Sequence, residues 1–502
     1  MTIDKREALK QYSKMKSLAF KYYSQGNYEA TANYITAAAF YMWKFNVKFV
    51  DDDFEKLIVK LSKKLLSWKS TRNNHLNNKK IIFFDTIGRD IRGLGYIYVQ
   101  SLLKLNYGIY YITYTCYRNH FTPIENLIKN DKNSKIFYIS DKSVCDAVVE
   151  AERIINELDA PTAFIYTQQH DVIPMVVFAK YSGKINRYLI NMGDHAFWLG
   201  KSAIDYCIEY RDFGGMISRE KRGLGEQQII KLPFFPNDIS EFQYQGLPFD
   251  LTGKQLVLSG GGIYKTLDSA NTFYHIIRQI LDRNPDSIFL MLSNNTCPPL
   301  KQLLKDYPNR TYHLNERKDL KHVMKKCVFY LSTYPIGGGL MFQYAAREGK
   351  LPLTLKNPGM PNGFLLDSEK LNYEFNTIEE LLAEADHLIQ DPEYRKAREK
   401  DLPNHLIDPD TFCIQLDKII KEQRTDYSFE ETTFNTKEFY KTFLKNMSLS
   451  EYSLAFIGSG PIRHIWYMFL HFPFLVLCGC IVKAKDLLRR RINRYIENIR
   501  IK

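Results

Sequence analysis

The sequence lacks two features that would assign a class at once. Its eight cysteines are scattered, with no CxxC pair and no regular spacing, so a disulfide framework is not expected. The amino-terminal stretch MTIDKREALKQYSKMK contains no apolar signal region, which argues against secretion. Reduced thiols in a cytoplasmic protein are the simplest account of both absences.

The residues that are present predict a folded protein with large cores. Hydrophobic residues make up 45% and aromatic residues 14% of a 502-residue chain, which excludes disorder and leaves room for two large domains plus extra segments. The net charge of +13 is uneven, because residues 483–502 hold eight basic and two acidic side chains. This basic tail predicts a local anionic partner rather than a protein that is basic throughout.

The amino-terminal segment, residues 1–75, is predicted to be helical. The stretch YYSQGNYEA at residues 22–30, with Gly26 at its turn and Tyr34 and Ala38 after it, resembles one tetratricopeptide unit. Only one copy is visible, so two interpretations stand: a unit that docks a peptide, or a small helical bundle packed on the next domain. The polar residues 68–79 are the predicted linker.

From Lys80 onward the pattern alternates between strands and helices, which is typical of doubly wound α/β domains with parallel sheets. One series occupies residues 80–235 and a second occupies residues 254–425. We therefore predict two Rossmann-like domains with a ligand cleft between the carboxyl ends of both sheets. The predicted strands are residues 81–85, 109–114, 135–139, 162–167 and 185–191, then residues 255–259, 287–292, 311–314, 328–331 and 352–355.

The carboxyl-terminal segment, residues 426–502, contains the apolar run IWYMFLHFPFLVLCGCIV at residues 465–482. This run is at the short limit for a membrane span, and a crossing would place the basic tail outside the cytosol, against the positive-inside tendency. We therefore expect residues 462–502 to lie on an anionic membrane surface, with a buried helical hairpin as the alternative. The apolar run favours lipid over nucleic acid as the partner of the tail.

One glycine-rich turn organises the second domain. The apolar run CVFYL at residues 327–331 predicts a buried strand, and the turn STYPIGGG and apolar residues at helical spacing follow it. A strand, a glycine turn and a helix point free N–H groups and the positive end of a helix dipole at an anion. The candidate phosphate contacts are therefore Pro335, Gly337, Gly338 and Gly339, although such a turn can also be a plain tight connection.

A second glycine run, SGGGIYK at residues 259–265, follows the first strand of the same domain. Gly261 and Gly262 offer backbone donors, and Lys265 offers a point charge for a diphosphate. Two such loops from separate strands predict a nucleotide diphosphate site more strongly than either loop alone.

An adjacent pair, Asp194 and His195, lies in the glycine-bounded turn NMGDHAFWLG at residues 191–200. Carboxylate and imidazole are the groups that accept a proton from a hydroxyl near neutral pH. The pair therefore predicts a catalytic or substrate-contact role, and the sequence leaves open which of the two side chains is the base.

Two further loops follow strands of the first domain and supply candidates on the acceptor side. The loop DTIGRDIRGLG at residues 85–95 carries Arg89, Arg92 and Gly93, which suit close approach to an anionic ligand. The loop QQHD at residues 168–171 carries His170. This histidine is either a base or ligand contact, or a cap of the next helix.

These motifs resemble those of GT-B glycosyltransferases over residues 80–423. The likeness rests on the turn at residues 193–200 with IDY at 204–206, on the loop at residues 262–265, and on residues 332–339 with GKLP at 349–352. More narrowly, the sequence is similar to O-GlcNAc transferase-like enzymes, to bacterial cytoplasmic protein N-glycosyltransferases, and to glycosyltransferases of surface-polysaccharide gene clusters.

The resemblance implies a UDP-sugar donor in the second domain, with Lys265 on the diphosphate and Gly337–Gly339 cradling it. The acceptor would enter from the first domain, past His195. An inverting reaction without a metal or cofactor is implied as well, and the lack of a DxD motif near a strand end agrees with that. The turn reads GDHAFW here, where the family usually has a His-Pro or similar setting.

The favoured function is transfer of a hexose or N-acetylhexosamine to a hydroxyl of a lipid-linked or polysaccharide acceptor, in bacterial surface-glycan synthesis. We expect a cytoplasmic protein that associates peripherally with the inner face of the membrane. Two alternatives keep the fold: a protein O- or N-glycosyltransferase, and an inactive nucleotide-sugar-binding scaffold. A UDP-sugar 2-epimerase shares the fold, but the pattern at residues 193–205 speaks against it.

Overall fold

The computed structural model describes residues 3–68, 79–88, 91–118, 120, 122–238, 242–444, 448–458 and 462–500. It opens with three helices, each begun by a side chain that accepts a hydrogen bond from a first-turn N–H group. The capping residues are Asp4, Asn27 and Asp51. The helices are α1 (Lys5–Ser24), α2 (Tyr28–Phe45) and α3 (Asp52–Leu65). The first two form an antiparallel hairpin through Gly26, which has a positive φ of 74°.

The first α/β domain is built on a parallel sheet of seven strands in the order β3-β2-β1-β4-β5-β6-β7. Its elements are β1 (Lys80–Asp85), α4 (Leu94–Lys104), β2 (Gly108–Tyr114), α5 (Thr122–Lys129), β3 (Lys135–Ile139), α6 (Val144–Glu157), β4 (Thr162–Tyr166), α7 (Val172–Ala179), β5 (Asn186–Ile190), β6 (Tyr206–Glu209), α8 (Asp212–Glu220) and β7 (Ile229–Lys231). The predicted doubly wound sheet is confirmed. Its two short last strands were not predicted.

The second α/β domain repeats the design with the strand order β10-β9-β8-β11-β12-β13, again all parallel. Its elements are β8 (Gln255–Gly260), α9 (Thr272–Arg283), β9 (Ser287–Leu292), α10 (Pro298–Asp306), β10 (Thr311–Leu314), α11 (Leu320–Lys326), β11 (Cys327–Leu331), α12 (Gly339–Arg347), β12 (Pro352–Leu355), β13 (Glu374–Phe375), α13 (Ile378–Gln390), α14 (Pro392–Glu399) and α15 (Pro409–Glu422). The five predicted strands are present, and β13 adds a sixth.

Helix α15 leaves the second domain and packs on the first. Its side chains Phe412, Leu416 and Ile419 are buried in the same core as Tyr98 and Phe164 of the first domain. The hydroxyl of Tyr188 donates to the carbonyl of Ile419 at 3.0 Å. This crossing helix ties the two domains together.

Four more helices, α16 (Thr436–Phe443), α17 (Leu449–Ile457), α18 (Ile462–His471) and α19 (Pro473–Arg500), return to the start of the chain. The hydroxyl of Tyr34 in α2 donates to the carbonyl of Tyr467 at 2.5 Å, and the hydroxyls of Tyr41 and Tyr452 lie 3.4 Å apart. Helix α2 therefore lies between α6 and α7 on one side and α17 and α18 on the other. Within the described ranges, no helix is both long and apolar enough to cross a membrane.

Candidate functional site

The topology brings the predicted loops to one cleft. In each sheet the strand order reverses beside the first strand, between β1 and β4 and between β8 and β11. The loops at the carboxyl ends of those four strands are the ones that bind ligands in open α/β sheets. Within the described part of the chain, they carry residues 86–88 with 91–93, 167–171, 261–271 and 332–338.

The two glycine loops of the second domain are joined to each other. The N–H group of Ile336 donates to the carbonyl of Lys265 at 3.3 Å. A methyl group built on Gly338 would lie 3.9 Å from Lys265 Nζ. Helix α12 begins at Gly339, and no side chain caps its first turn. Its N–H groups and the ammonium of Lys265 therefore present positive charge to the same small space.

Lys265 is a half-buried ammonium without an acidic neighbour, since no carboxylate within the described ranges pairs with it. Burial and the charge of Arg211 across the cleft lower the pKa of Lys265 to about 8. An ammonium in such a place is stabilised by an anion, and a diphosphate group satisfies that need.

The three consecutive glycines serve different purposes. A methyl group on Gly337 would meet Asn362 Oδ1 at 2.2 Å, and one on Gly339 would meet the ring of Phe364 at 2.6 Å. These two glycines are therefore required by packing against residues 362–364. Only Gly338, whose nearest neighbours lie 3.9 Å away, leaves the open approach that a phosphate needs.

Asp194 is completely buried and is paired with Arg211, a residue after β6. Arg211 Nε and Nη2 lie 2.5 and 3.1 Å from the Asp194 carboxylate oxygens. Burial by itself raises the pKa of a carboxyl group, but Arg211 and the bond to His195 hold the pKa of Asp194 far below its usual range. Asp194 is therefore a permanent anion at neutral pH and a poor proton acceptor.

The Nδ1 atom of His195 lies 3.1 Å from Asp194 Oδ1. A proton on Nδ1 donated to Asp194 leaves Nε2 as the acceptor, and the side chain is 29% exposed at the cleft. On its other side the imidazole stacks on Phe443 of α16, with ring centroids 5.9 Å apart. The ring is thus fixed in orientation and still open to a substrate.

Arg211 also links the two α/β domains. Its Nη1 donates to the carbonyls of Pro361 and Asn362, the latter at 2.7 Å. Because Asn362 is the residue that packs on Gly337, a single guanidinium connects the Asp194 carboxylate with the base of the glycine turn. The turn that carries Asp194 and the turn that carries Gly337 are therefore connected through Arg211.

A buried network supports the turn that carries Asp194. The fully buried guanidinium of Arg222 donates to the carbonyls of Gly193, Asp194 and Ala196 at 3.2, 2.7 and 2.8 Å. Glu209, at the end of β6, accepts from Asn191 at 2.7 Å and from the hydroxyl of Ser218. The charge of Arg222 is balanced by Glu209, 3.7 Å away. The backbone around His195 is thus held by Arg222, which is in turn paired with Glu209.

A cavity of about 440 Å³ opens beside the second glycine loop, over the carboxyl ends of β8 and β9. Gly261 and Gly262 line it from the second domain, and Arg92 and Gly93 from the first. Arg92 is paired with Glu316 across the cavity at 2.6 Å. Arg92 and Gly93, two of the acceptor-side candidates, therefore border the second glycine loop, whereas Arg89 lies outside the described residues.

His170 packs against helix α2 of the amino-terminal segment. It is buried against Phe40 and Trp43 of α2, with ring centroids 5.0 and 6.5 Å away. Burial lowers the pKa of His170 to about 4, so the ring is neutral at physiological pH. His170 is not among the residues that line the cavity beside the second glycine loop.

Sequence reasoning missed Arg211, Arg222, Glu209 and Asn362. Arg211 and Glu209 follow or end β6, a strand that was not predicted. Had the segment YCIE at residues 206–209 been recognised as a strand, the strand-end rule would have pointed to both residues. Arg222 and Asn362 carry no local signal, because their roles arise only from contacts distant along the chain.

No protein-family model matches the sequence, and no curated protein sequence matches it. Solved structures do match. A mutant O-GlcNAc transferase from Thermobaculum terrenum is similar with a TM-score of 0.51 and 12% identity, over 87% of this chain and 82% of that one. A UDP-GlcNAc 2-epimerase from Neisseria meningitidis has a TM-score of 0.47 and 12% identity, over 68% and 100%. The pneumococcal O-GlcNAc transferase GtfA has a TM-score of 0.40 and 12% identity, over 55% and 60%.

The likeness to the Thermobaculum enzyme establishes the architecture. Two parallel-sheet α/β domains that face each other across a cleft, with helices ahead of them, form the GT-B fold. The fold predicted from the strand pattern and the glycine turns is therefore confirmed.

Proposed function

We propose that the protein is a glycosyltransferase that transfers a sugar from a nucleotide donor, with UDP as the expected nucleotide, to a hydroxyl acceptor. One observation carries the proposal. Lys265, without an acidic partner among the described residues, lies beside the uncapped start of α12 and near Arg211, whose partner Asp194 is hydrogen-bonded to His195. The Thermobaculum neighbour, a transferase by name, supports the same class.

On the donor side, the protein stabilises a leaving diphosphate. Negative charge builds up on the diphosphate as the sugar–oxygen bond breaks, and donors aimed at that charge lower the barrier. Lys265 supplies a full positive charge, and Gly338 leaves the first N–H groups of α12 open to approach. Both are fixed before the reaction, because the loop that carries Lys265 is bonded to Ile336.

On the acceptor side, His195 is the proposed general base. Its Nε2 takes the proton of the acceptor hydroxyl while the hydroxyl oxygen attacks the sugar carbon and the diphosphate leaves with the bonding electrons. Asp194 orients the ring through Nδ1 and stabilises the imidazolium that forms. A base and a leaving-group site on opposite walls of the cleft suit an inverting displacement.

The nucleotide is tested by thermal unfolding in UDP, GDP, CDP and ADP at matched concentrations. A ligand at a hundred times its dissociation constant stabilises the native state by about 2.7 kcal/mol, which shifts the melting temperature measurably. Stabilisation by UDP alone is expected. Stabilisation by another nucleotide would mean that the donor carries that nucleotide instead of UDP. No shift of the melting temperature with any of the four would favour an inactive scaffold.

We further propose that the acceptor is a lipid-linked or polymeric glycan and that α18 and α19 hold the protein at an anionic membrane surface. One face of these helices is buried, with Met468, Phe472 and Val476 in the core. The other face exposes apolar side chains at helical spacing and is followed by exposed basic residues. Its members are Trp466 (62% exposed), Leu470 (50%), Phe474 (64%), Leu477 (52%) and Ile481 (55%), with Lys483 and Lys485 after them.

The membrane proposal is tested by substitution rather than by deletion, because removing α18 and α19 would also uncover α2. The double change Phe474→Glu and Leu477→Glu is expected to abolish sedimentation with vesicles that contain anionic lipid. Ile414→Glu, on the exposed face of α15, is the matched control, since Ile414 is 57% exposed. The proposal would be contradicted if the unaltered protein, the double variant and Ile414→Glu sedimented equally with the vesicles. It would also be contradicted if the double change converted a dimer into a monomer and left lipid binding unchanged.

A further inference from the structure

The backbone that follows His195 is held by side chains of the amino-terminal helices. Asn46, which ends α2, accepts a hydrogen bond from the N–H group of Phe197 at 3.1 Å. Asn46 is 1% exposed and adopts a left-handed conformation with φ of 48°. The backbone carbonyl of Phe49 accepts from the N–H group of Trp198 at 3.4 Å.

Glu55 of α3 continues this contact. Its buried carboxylate accepts from the N–H groups of Gly200 and Ser202 at 2.9 and 2.8 Å and from the hydroxyl of Ser202 at 2.7 Å. The N–H groups of residues 197–202 are thus satisfied largely by residues 46–55. The carbonyls of Gly193, Asp194 and Ala196 accept from Arg222. The turn that carries His195 is clamped between these two sets of partners.

Helix α2 has little free surface for another task. Twelve residues of α2 are buried, among them Tyr34 and Tyr41. One side of α2 lies on α6 and α7, and the other is covered by α17 and α18. A peptide that used this hairpin as a tetratricopeptide groove would have to displace part of the protein's own core.

We propose that residues 3–68, the amino-terminal helical unit, act as a positioning element for the His195 turn, with Asn46 and Glu55 as the positioning residues. The proposal rests on the proposed function, because it assigns the unit a part in the transfer reaction. An imidazole displaced by about 1 Å loses on the order of a hundredfold in rate, so fixing the turn bears directly on turnover.

Asn46→Gly is the decisive change. Glycine adopts the left-handed backbone of this position without strain, so the change removes the acceptor for the Phe197 N–H group and little else. Asn46→Asp keeps an oxygen at the same place and is the conservative variant. Glu29→Gln is the matched control, because it weakens the contact of the amino-terminal unit with the first domain at a place away from the turn. Glu29 accepts from the N–H groups of Val144 and Cys145 at 2.9 and 2.8 Å.

Three measurements are made on the full chain: amide hydrogen exchange of residues 193–202, UDP affinity, and the single-turnover rate of transfer. Asn46→Gly is expected to speed exchange in that segment and to lower the rate by about 10- to 100-fold. UDP affinity should stay within about twofold, because the donor loops are on the other domain. Asn46→Asp should show the exchange in residues 193–202 and the transfer rate of the unaltered protein. Glu29→Gln should lower the melting temperature and leave exchange in residues 193–202 and the rate unchanged.

Two results would overturn the inference by itself: faster exchange in Asn46→Gly with an unchanged rate, or an equal loss of rate in Glu29→Gln. Absence of transfer by the unaltered protein, with any nucleotide sugar, would instead overturn the proposed function and this inference with it. The exchange data distinguish the two cases, since they report on the clamp without any substrate.

Discussion

Removal of the Lys265 ammonium should weaken UDP binding and abolish its dependence on pH. A hydrogen bond to a charged group contributes about 1.5–3 kcal/mol, so Lys265→Ala should weaken UDP binding by about 10- to 150-fold at pH 7. The pH dependence follows from the lowered pKa of about 8. The ammonium is present below that pH and is lost above it, so the affinity of the unaltered protein falls by about tenfold from pH 7 to pH 9.

The assay is calorimetric titration with UDP at pH 7, 8 and 9 and constant ionic strength. Lys265→Ala should give a weak affinity that does not change over this range. Lys265→Arg should lose less UDP affinity between pH 7 and pH 9 than the unaltered protein, because a guanidinium stays charged. Lys254→Ala is the control, since Lys254 precedes β8 at the opposite end of the strand and is paired with Asp286 at 2.7 Å. Full UDP affinity in Lys265→Ala at pH 7 would refute the assignment.

Three further changes test the rest of the cleft. His195→Ala should lower the transfer rate by about 10²- to 10⁴-fold with unchanged UDP affinity, and a normal single-turnover rate would remove His195 as the base. Arg211→Met leaves Asp194 buried without its partner, so urea unfolding should show a loss of about 3–5 kcal/mol; unchanged stability would contradict the buried ion pair. Gly338→Ala should leave the melting temperature unchanged, because the atoms nearest to the new methyl group, Lys265 Nζ among them, are 3.9 Å away. Its UDP affinity should fall by about fivefold, and unchanged UDP titration would show that the phosphate does not approach Gly338.

The fold was predictable because each strand and loop of a parallel α/β domain has a recognisable pattern in the local sequence. Strands such as Ser287–Leu292 are short, fully buried apolar runs, and the loops after them carry the glycines and charges. The strand-end rule therefore found the Lys265 loop and the Gly337–Gly339 turn. It failed at β6, where the four-residue run YCIE is short and ends on the polar Glu209, and Arg211 was missed with it.

Other parts of the site depend on contacts that no local pattern contains. Arg211 and Asn362 are 151 residues apart along the chain, and only the closure of the two domains brings them together. The sequence also left open whether Asp194 or His195 is the proton acceptor. The buried ion pair of Asp194 is what favours His195, because the environment of a carboxylate sets its pKa.

The carboxyl-terminal helices show why a single apolar run allowed two interpretations. A run such as residues 465–482 is apolar on every side, so it has no periodicity that distinguishes core from surface. In the structure Phe472 lies in a core, as the buried alternative expects, whereas Phe474 is exposed. The membrane surface stays a prediction.

The crossing of α15 and the return of α17 and α18 have a consequence for how the chain folds as it is made. The core of the first α/β domain is incomplete until Phe412, Leu416 and Ile419 have been synthesised. The amino-terminal helices wait still longer, since Tyr34 is bonded to Tyr467, 433 residues later. A ribosome therefore releases almost the whole polypeptide before α17 and α18 can cover the second side of α2, and contacts of such sequence separation form late and slowly. We expect the contact between α2 and these two helices to be among the last to form.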